Sequence, residues 1–600
     1  MCGIAGILNT RGEALALSDA VRRMQTAMRH RGPDDQGLWT SASVQASFAH
    51  TRLSIIDLSA AGHQPMTTPD GRYTITFNGE IYNYRALRES LQREGVAFAT
   101  QTDTEVILRL FEKQGEACVE HLRGMFAFAI WDEWERSCFL ARDRFGIKPL
   151  YVAEQGDRLI FASELRAVLA SALVPPKTDA QALARYLQTG SVPEPQTLIE
   201  GVRMLEAGCA IHWQDGNTRQ HRWWRIAFPK SETVSREEAS TRTRAALLDS
   251  VEHHFVSDVP VGIFLSGGLD STALLALAHA TGRRNIQTFS IGVDDATRDE
   301  SSLARRTAEH FGTQHTELRL TAEKARVLFT QFLEAIDQPT IDGFNTFTVA
   351  GLAREHGMKV VLSGLGGDEL FAGYPSFAKL PQLARMARLL GPLRGLAGAA
   401  LGLARVNPQL VRLSSALRNG GDFEQLYDAF RGIYSMADAG TLTQHFLGKP
   451  VPPPPPPERE NLEHGMGIAD TISSLELRRY MRNQLLRDSD VMSMVHGLEL
   501  RVPLVDSTLF DAIAPLPPAW RLRQGKQLLL DAVPEIPDWI RHRPKSGFLF
   551  PYEQWLSTPD WQALFADSLR GLPVEPSSWY QRWAVFVFSQ WSAKMSATTL

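Results

Sequence analysis

Cys2 combines two groups that could act together as a nucleophile and its base. If Met1 is removed, the thiol and a free α-amine belong to the same residue. An α-amine titrates at about 7.7–8.0, so at neutral pH an appreciable fraction is the free base and can deprotonate the thiol. A free cysteine is also often simply buried, and position alone favours that interpretation. The residues that accompany Cys2 must decide between the two.

Four motifs follow Cys2 in order along the N-terminal part of the chain. They are Arg31-Gly32-Pro33-Asp34, Arg52-Leu53-Ser54-Ile55-Ile56-Asp57, Asn78-Gly79-Glu80-Ile81-Tyr82-Asn83-Tyr84 and Thr102-Asp103-Thr104-Glu105. Alone, Asn78-Gly79 would indicate an ordinary hairpin turn and Arg52 an ordinary surface charge. In this order and together with Cys2, the motifs resemble the glutaminase domain of the N-terminal-nucleophile amidotransferases, specifically that of the asparagine synthetase family.

The resemblance implies a role for each motif. Attack of the Cys2 thiolate on a glutamine side-chain amide creates an oxyanion, which the Asn78 side chain and the Gly79 N–H can stabilise. A guanidinium such as Arg52 can bind the α-carboxylate through two hydrogen bonds. Carboxylates such as Glu80 or Asp103 can bind the α-ammonium group. The expected catalytic groups are Cys2, Asn78 and Gly79, and the expected glutamine-binding residues are Arg52, Ile55, Ile56, Asn78, Glu80 and Asp103.

A second group of residues, Ser266-Gly267-Gly268-Leu269-Asp270-Ser271, lies between a predicted strand and a predicted helix. Small residues in succession let backbone N–H groups approach a pyrophosphate, and the helix N-terminus favours negative charge. Asp270 can hold Mg²⁺ against the phosphates. The chain has no GxxxxGK[ST] Walker A sequence, and a bare SGG would indicate only a tight turn. The full motif resembles the pyrophosphate loop of the ATP pyrophosphatases, which cleave ATP between the α and β phosphates.

Two later motifs resemble the same family. The stretch from Ser363 to Tyr374 resembles its second nucleotide loop, which implies Asp368 as a ligand of Mg²⁺-pyrophosphate. The motif around Lys545 implies that this lysine is catalytic and offsets charge on the phosphates during adenylation. The resemblance thus implies ATP and Mg²⁺ as cofactors, with Asp270 and Asp368 as metal ligands. The expected ATP-binding residues are Leu265, Ser266, Gly267, Gly268, Asp270, Ser271, Ile291, Ser363 and Gly364.

One position departs from the family pattern. Where members that make asparagine usually carry Glu or Asp for proton transfer during the attack of ammonia, this chain has Leu365. Leucine can neither accept a proton nor hydrogen-bond to ammonium. The substitute base would be Asp368, Glu369 or a residue from another loop such as Asp342, so the identity of the acceptor carboxylate stays open.

Two types of architecture must position these groups. Up to about residue 210, short alternating runs between Gly, Asn and Asp turns predict strands joined by hairpins, with a few helices such as 19–28. By resemblance, residues 1–210 form an αββα glutaminase domain of the N-terminal-nucleophile type, an α+β arrangement. Beyond Trp223-Trp224, strands alternate with helices, which indicates a parallel sheet covered by helices on both faces.

In this second part, residues 211–600, we expect a doubly wound α/β ATP-pyrophosphatase domain with additional helices. The predicted elements are strands at 259–265, 286–293 and 359–362 and helices at 237–254, 271–280, 380–404 and 471–495. Six prolines at 452–457 cannot donate backbone hydrogen bonds, so they predict an extended connector.

Composition limits the classes of partner. The chain has 600 residues, with 63 Lys and Arg against 67 Asp and Glu, for a net charge of −4. Without an excess of positive charge, we expect neither nucleic acid nor a membrane as a partner. The four cysteines are scattered without a CxxC pair, which argues against a disulfide scaffold or a zinc site. No basic region precedes the apolar N-terminal residues, so we expect a cytoplasmic protein.

The sequence therefore predicts a glutamine-dependent enzyme of the asparagine synthetase type. It would hydrolyse glutamine, adenylate a carboxylate with Mg²⁺-ATP and transfer ammonia, with aspartate as the default acceptor. A homodimer is compatible with this prediction. The alternatives are an amidotransferase for another carboxylate, such as a biosynthetic intermediate or a peptide, and a non-catalytic regulatory homologue.

Overall fold

The computed structural model describes residues 2–10, 14–403, 407–451, 466–543, 547 and 549–597. Two expectations lie outside these described residues: the role of Lys545 and the extended connector at 452–457. Within the described part of the chain, no helix combines the length and the apolar character that crossing a membrane requires.

Two six-stranded antiparallel sheets form the N-terminal domain. The first has the order β10-β8-β9-β1-β3-β2 and the second the order β12-β11-β7-β6-β5-β4. Their strands are β1 (Gly3–Leu8), β2 (Asp35–Thr40), β3 (Ala46–Arg52), β4 (Met66–Thr67), β5 (Tyr73–Ile81), β6 (Gly124–Asp132), β7 (Ser137–Arg142), β8 (Tyr151–Gln155), β9 (Arg158–Ala162), β10 (Val202–Met204), β11 (Cys209–Gln214) and β12 (Asn217–Arg222). The second sheet thus extends through Arg222, past the boundary that we expect near residue 210.

The sheets face each other, and helices cover their outer sides. In β1, Ile4 and Leu8 pack between the sheets, whereas Ala5 and Ile7 pack under helices of the first sheet. The period of two places successive side chains on opposite faces, and both faces are covered, so the whole strand is apolar and buried. The helices of this domain are α1 (Ala14–Ala27), α2 (Tyr84–Arg93), α3 (Asp103–Gln114), α4 (Cys118–His121), α5 (Leu165–Ala170) and α6 (Ala180–Thr189).

The four layers confirm the predicted αββα arrangement. Helices α1 and α5 contribute to the core against the first sheet, and α2 and α3 contribute to the core against the second. A separate cluster that includes Trp131 and Trp213 fills the space between the sheets.

A five-stranded parallel sheet, in the order β15-β14-β13-β16-β17, forms the centre of the C-terminal domain. Its strands are β13 (Val261–Phe264), β14 (Gln287–Val293), β15 (Gln314–Leu320), β16 (Val360–Leu362) and β17 (Glu499–Arg501). The three predicted strands correspond to β13, β14 and β16, whereas the sequence analysis does not predict β15 and β17. The doubly wound parallel architecture is confirmed.

The described helices of this domain surround the sheet and extend beyond it. They are α7 (Arg236–His254), α8 (Leu269–Ala280), α9 (Ser301–His310), α10 (Ala322–Ala335), α11 (Phe344–Glu355), α12 (Gly367–Leu370), α13 (Ser376–Leu390), α14 (Arg394–Leu403), α15 (Pro408–Arg418), α16 (Phe423–Arg431), α17 (Met436–Leu447), α18 (Ile468–Leu475), α19 (Arg487–Met494), α20 (Ser507–Ile513), α21 (Pro518–Arg521), α22 (Gln527–Ala532), α23 (Asp538–Arg541), α24 (Tyr552–Leu556), α25 (Pro559–Leu569) and α26 (Trp579–Ala597).

Two predicted helices differ from the structure in detail. The predicted helix at 380–404 is divided into α13 and α14, because the chain turns at Gly391, which has a positive φ of 49°. The predicted helix at 471–495 is continuous from α18 to α19, but its middle, Glu476–Leu486, is wound as a π-helix.

The order of the parallel strands creates a switch point between β13 and β16. From β13 the chain proceeds outward to β14 and β15, and it then returns to place β16 on the other side of β13. Ligands of open α/β sheets bind beyond the carboxyl ends of the strands at such a point. The loops that follow β13 and β16 carry the two predicted nucleotide motifs, so the topology brings both motifs to one place.

Buried ion pairs join the two domains. Arg31 Nη2 lies 2.8 Å from Asp490 Oδ2, and Lys148 Nζ lies 3.3 Å from the other oxygen of the same carboxylate. A further pair connects Arg123 and Asp506 at 2.9 Å. Because breaking a buried pair leaves an uncompensated charge, these contacts favour one relative position of the domains.

Candidate active sites

A small pocket, here called the glutamine pocket, surrounds Cys2. It lies where the start of β1 meets the end of β5 and the N-terminus of α3. Its walls are Cys2, Arg52, Leu53, Ile55, Ile56, Gly62, Gln64, Phe77, Gly79, Glu80, Thr102, Asp103 and Thr104. The structure therefore brings together the residues expected to bind glutamine. Gln64 and Gly62 are pocket residues that the sequence analysis does not single out.

Asn78 is held next to the nucleophile. The N–H of Cys2 donates to Asn78 Oδ1 at 3.0 Å, and Asn78 is fully buried in β5. That contact assigns the amide oxygen, so Nδ2 is left as a buried donor with no hydrogen-bond partner in the described part of the chain. A buried donor of this kind costs stability unless a ligand accepts from it. Its position beside Cys2 suits an oxyanion that forms at the pocket.

The backbone conformation at position 79 and the neighbouring strand leave room only for glycine. Its φ is +155°, and a Cβ atom there would lie 2.0 Å from the carbonyl oxygen of Met125 on the neighbouring strand β6. Any side chain would therefore push β5 away from β6. The glycine keeps the backbone at the pocket wall beside Asn78, where the predicted second oxyanion donor belongs.

Arg31 fixes the backbone of the nucleophile. Its Nε donates to the carbonyl oxygen of Cys2 at 3.0 Å, and its two terminal nitrogens contact Glu164 at 3.0 Å and Asp490 at 2.8 Å. Burial raises the pKa of the Cys2 thiol, while the nearby Arg52 charge and the Leu53 N–H act in the opposite direction. A thiol that is protonated at neutral pH needs a base, as the α-amine mechanism requires.

The Arg52 guanidinium is held at the pocket wall by a loop. It donates to the carbonyl oxygens of Ser59 at 2.8 Å and of Asp57 at 2.5 Å. A Cβ atom on Gly62 would lie 1.9 Å from Nη2, so the loop wraps closely around the charged group. This contact explains why glycine occupies position 62 in the pocket.

Burial raises the pKa of both Asp103 and Glu80. Burial raises the pKa of Asp103 to about 6, so this carboxylate is ionised at neutral pH. Burial, together with the charge of Glu499, raises the pKa of Glu80 well above its usual range. Of the two groups expected to bind the α-ammonium of glutamine, we therefore assign Asp103 to that role.

Hydrogen bonds to the hydroxyl groups of Ser266 and Ser271 hold the first nucleotide loop together. The Ser266 N–H donates to Ser271 Oγ at 3.1 Å, and the Gly268 N–H donates to Ser266 Oγ at 3.1 Å. Helix α8 begins directly after Gly268, which puts Asp270 in its first turn. The motif thus forms a tight connection between the end of β13 and a helix N-terminus, as pyrophosphate binding requires.

The second nucleotide loop packs directly against the first. A Cβ atom on Gly367 would lie 2.3 Å from Asp270 Oδ1, and one on Gly364 would lie 2.9 Å from the Asp270 backbone. The Ser363 N–H donates to the Arg501 carbonyl at 2.9 Å, which fixes the start of this loop on β17. Leu265, at the end of β13, and Ile291, on β14, are buried.

Lys526 connects the two carboxylates expected to hold Mg²⁺. Its Nζ lies 2.6 Å from Asp368 Oδ1 and also contacts Asp270. These charges raise the pKa of Lys526 against the opposing effect of burial. The sequence analysis misses this residue, because a single lysine after Gly525 has no distinguishing pattern. Among the residues that the structure describes, no group of three or more His, Cys, Asp or Glu side chains forms a preassembled metal site.

The motif around Lys545 starts at Arg543, which contacts the first nucleotide loop. Arg543 Nη1 donates to the carbonyl of Gly267 at 2.7 Å, and Nη2 pairs with Glu300 at 2.8 Å. This contact brings the start of the motif to the predicted pyrophosphate site.

The three candidate substitutes for an acid at position 365 occupy different surroundings. Asp368 is paired with Lys526. Glu369 is buried and accepts from the Tyr374 hydroxyl at 2.8 Å, and burial raises its pKa to about 8. Asp342 lines a large cavity, and burial raises its pKa as well. Leu365 itself is half-buried against the core of the C-terminal domain.

That large cavity, here called the interdomain cavity, has a volume of about 1180 Å³. It lies between α6 with its following loop and a wall formed by α15, α16 and the π-helical segment. Eight arginines and four carboxylates line it. Arg431 lies over the rings of Tyr374 and Tyr480 at 4.2 and 4.1 Å, so the cavity wall contacts Tyr374 of the second nucleotide loop.

Each half of the chain matches the model of a known protein family. Residues 1–224 match the family model described as "Glutamine amidotransferase domain", and residues 242–588 match "Asparagine synthase". The protein named asparagine synthetase [glutamine-hydrolyzing] 1 of Bacillus subtilis (strain 168) is 33% identical over 93% of this chain and 88% of its own length. This chain belongs to the asparagine synthetase family.

Some proteins that match nearly the whole chain are not named asparagine synthetases. A protein of Gibberella zeae named amidase chry2 is 27% identical over 93% of this chain and 90% of its own length. Among solved structures, an allosteric regulatory enzyme of purine biosynthesis matches 53% of this chain and 80% of its own, with 15% identity and a TM-score of 0.29, which is too low to bear on function.

Proposed function

We propose that this member of the asparagine synthetase family hydrolyses glutamine and uses the ammonia, with ATP, to convert the side-chain carboxylate of aspartate into the amide of asparagine. The observation that carries the proposal is that one chain holds both a pocket around Cys2, with a free oxyanion donor on Asn78, and a pyrophosphate loop at the switch point. Either site alone would be compatible with other chemistry.

In the glutamine pocket, the Cys2 α-amine takes the thiol proton and Sγ attacks the amide carbon of glutamine. Asn78 Nδ2 and the Gly79 N–H donate to the oxyanion. Collapse of this intermediate transfers the proton to the leaving nitrogen and releases ammonia, and water then hydrolyses the thioester to glutamate. Arg52 holds the α-carboxylate, and Asp103 holds the α-ammonium group.

In the second site, an oxygen of the acceptor carboxylate attacks the α-phosphorus of ATP and pyrophosphate leaves. The loop from Ser266 to Ser271, with Ser363 and Gly364, would hold the phosphates, and Lys526 and Lys545 would offset their charge. Asp270 and Asp368 provide the oxygen donors that Mg²⁺ prefers, and they lie where the two nucleotide loops meet. Mg²⁺ bound there would neutralise phosphate charge. Ammonia then attacks the acyl carbon and displaces AMP.

The proton released when ammonia attacks needs an acceptor, since Leu365 cannot take it. We assign this role to Asp342. Its carboxylate faces the interdomain cavity, and burial raises its pKa, which makes it a stronger base than an exposed aspartate. Asp368 is less suited because its pairing with Lys526 stabilises the ionised form.

The test is release of pyrophosphate from ATP with glutamine and aspartate, measured in wild type and in Cys2→Ala. The variant is expected to lose glutaminase activity but to retain synthesis when ammonia is supplied. Intact mass would check the expected removal of Met1. Absence of aspartate-dependent pyrophosphate release in a wild-type protein with active glutaminase would overturn the asparagine assignment.

A second candidate function is favoured by two specific observations. The interdomain cavity is far larger than aspartate needs, and position 365 lacks the usual acid. These features suit an acceptor that presents its carboxylate from a larger, anionic molecule, such as a biosynthetic intermediate or a peptide. A panel of carboxylates in the same pyrophosphate assay distinguishes the candidates, since the better acceptor has the higher kcat/KM.

Two further properties belong to this proposal. We expect the enzyme to act in the cytoplasm and to form a homodimer. Light scattering of the purified full chain measures the second property, and a single species at the monomer mass would contradict it.

A further inference from the structure

Four large apolar side chains project from the surface of α13, α14 and the turn between them. Met386, Leu389, Leu393 and Leu396 are 58%, 79%, 59% and 71% exposed. Met386 and Leu389 are three residues apart on α13 and so share one face of that helix, whereas Leu393 lies in the turn and Leu396 lies on α14. Monomeric soluble proteins rarely expose contiguous apolar patches without a use for them.

The opposite sides of the same helices are firmly packed. Phe377, Leu380 and Ala387 of α13 are buried in a core with α15, α16 and α18. Helix α14 approaches α15 closely: the Ser414 hydroxyl donates to the Gly398 carbonyl at 2.7 Å, and a Cβ on Gly398 would lie 2.9 Å from the Ser414 carbonyl oxygen. The exposed leucines therefore belong to the outer face of an ordered helical unit.

Along the sequence, this segment carries charge of a single sign up to the acidic Asp422 and Glu424 at the start of α16. Between residues 370 and 421 the sequence contains no Asp or Glu, although the chain as a whole carries a net charge of −4. The basic residues of the stretch are Lys379, Arg385, Arg388, Arg394, Arg405, Arg412 and Arg418. Lys379, Arg385 and Arg388 are exposed on α13, the helix that also carries Met386 and Leu389.

We propose that this face, formed by Met386, Leu389, Leu393 and Leu396 with the flanking basic residues, docks on an anionic lipid bilayer. Apolar side chains that insert at the headgroup level, flanked by Lys and Arg, are the pattern of helices that lie in a membrane interface. Each basic side chain near an anionic surface adds attraction. The averaged composition predicts no membrane partner, because acidic residues elsewhere in the chain hide this local excess.

Other occupants fit the face less well. A second copy of the chain would bring like charges together, which is unfavourable. The apolar side chains project outward and line neither of the two cavities described above, so they offer no groove for a partner helix. Helix α15, which packs against α14, also contributes Gln409 and Arg412 to the interdomain cavity. Docking would therefore hold that cavity close to the bilayer.

The experiment is co-sedimentation of the full chain with vesicles of phosphatidylcholine, with and without phosphatidylglycerol. Binding is expected only when phosphatidylglycerol is present, and added salt should weaken it. Leu389→Ser with Leu393→Ser should weaken binding by roughly tenfold or more. Arg385→Gln with Arg388→Gln should weaken it by about thirtyfold, from ~1 kcal/mol per charge.

Val327→Ser is the matched control, since Val327 is 53% exposed on α10, outside the segment. It should bind vesicles as wild type does, and all variants should keep wild-type glutaminase activity, which shows that they fold. Three results would overturn the proposal: no binding of wild type to anionic vesicles, binding that survives both double substitutions, or a dimer that the leucine substitutions dissociate in a protein that binds no vesicles.

Discussion

Arg501 Nη2 lies 3.4 Å from Glu80 Oε1, so the last residue of the synthetase sheet contacts a wall of the glutamine pocket. Arg501 is fully buried and also donates to Glu499 Oε1 at 2.5 Å and to the His254 carbonyl at 2.8 Å. Two carboxylates therefore share one guanidinium. Because the Glu499 pair has the shorter contact, Glu499 keeps the ionised form, its pKa is lowered, and the pKa of Glu80 is raised.

The substitution Glu80→Gln is expected to be tolerated. The raised pKa of Glu80 favours its neutral form, which resembles an amide in shape and charge. We therefore expect kcat/KM for glutamine to fall by less than about threefold, within the ~0.5 kcal/mol typical of neutral substitutions. The measurement is glutamate release at neutral pH. A drop of two orders of magnitude would mean that Glu80 acts as an anion.

Asp103→Asn should behave in the opposite way. It removes the negative charge that holds the α-ammonium, and a hydrogen bond to a charged group contributes ~1.5–3 kcal/mol, so kcat/KM for glutamine should fall by roughly 10- to 150-fold. Synthesis from supplied ammonia should continue. Glu89→Gln, on the exposed side of α2, is the control that should have no effect.

The pH dependence of glutaminase activity should report the same group. The Asp103 pKa is raised to about 6, and glutamine binding needs the ionised form. Below pH 6, loss of the ionised Asp103 should make kcat/KM fall about tenfold per pH unit more steeply than protonation of the Cys2 α-amine alone. In Asp103→Asn this additional steepness should be absent from the profile of kcat/KM. Unchanged steepness in the variant would assign it to another group.

Asn78→Ala should remove an oxyanion donor. We expect kcat for glutamine hydrolysis to fall by about 10²–10³-fold with little change in KM, because the interaction forms mainly in the transition state. Asn83→Ala is a matched control at the start of α2, where the side chain donates to the His121 carbonyl outside the pocket. Equal losses in both variants would point to a structural effect.

Lys526→Met should affect the synthetase site alone. Without the ammonium group, Asp270 and Asp368 face each other without their shared cation, so the variant should lose ~3–5 kcal/mol of stability. Added Mg²⁺ should recover part of the lost Tm, because it replaces the charge between the two carboxylates. Pyrophosphate release should fall by orders of magnitude while glutaminase activity stays. Lys324→Met, exposed on α10, is the control.

Asp342→Asn tests the substitute base. Loss of general-base help costs about 10²–10⁴-fold in turnover, so ammonia-driven amide synthesis should collapse while glutaminase activity is unchanged. Leu365→Asp in the Asp342→Asn background should restore part of the activity if the base was displaced from position 365. Unchanged turnover in Asp342→Asn would transfer the role to Glu369.

The sequence by itself determined those motifs and strands whose residues are neighbours along the chain. Cys2, Asn78-Gly79 and the loop from Ser266 to Ser271 are recognisable because each motif is formed by neighbouring residues, and β13, β14 and β16 because buried parallel strands are apolar. Strand β15 was missed because it is an edge strand with mostly polar, half-exposed residues. Strand β17 has only three residues, too few for a pattern.

Only the tertiary structure decided which distant residues meet. Lys526 and Arg501 look like ordinary basic residues in the sequence, and their roles come from carboxylates far away along the chain. The helical pattern at 380–404 does not reveal which leucines face outward, because that depends on where α15 and α16 pack. Charge states such as those of Asp103 and Glu80 depend on burial and on neighbours from other elements, which the fold alone brings into contact.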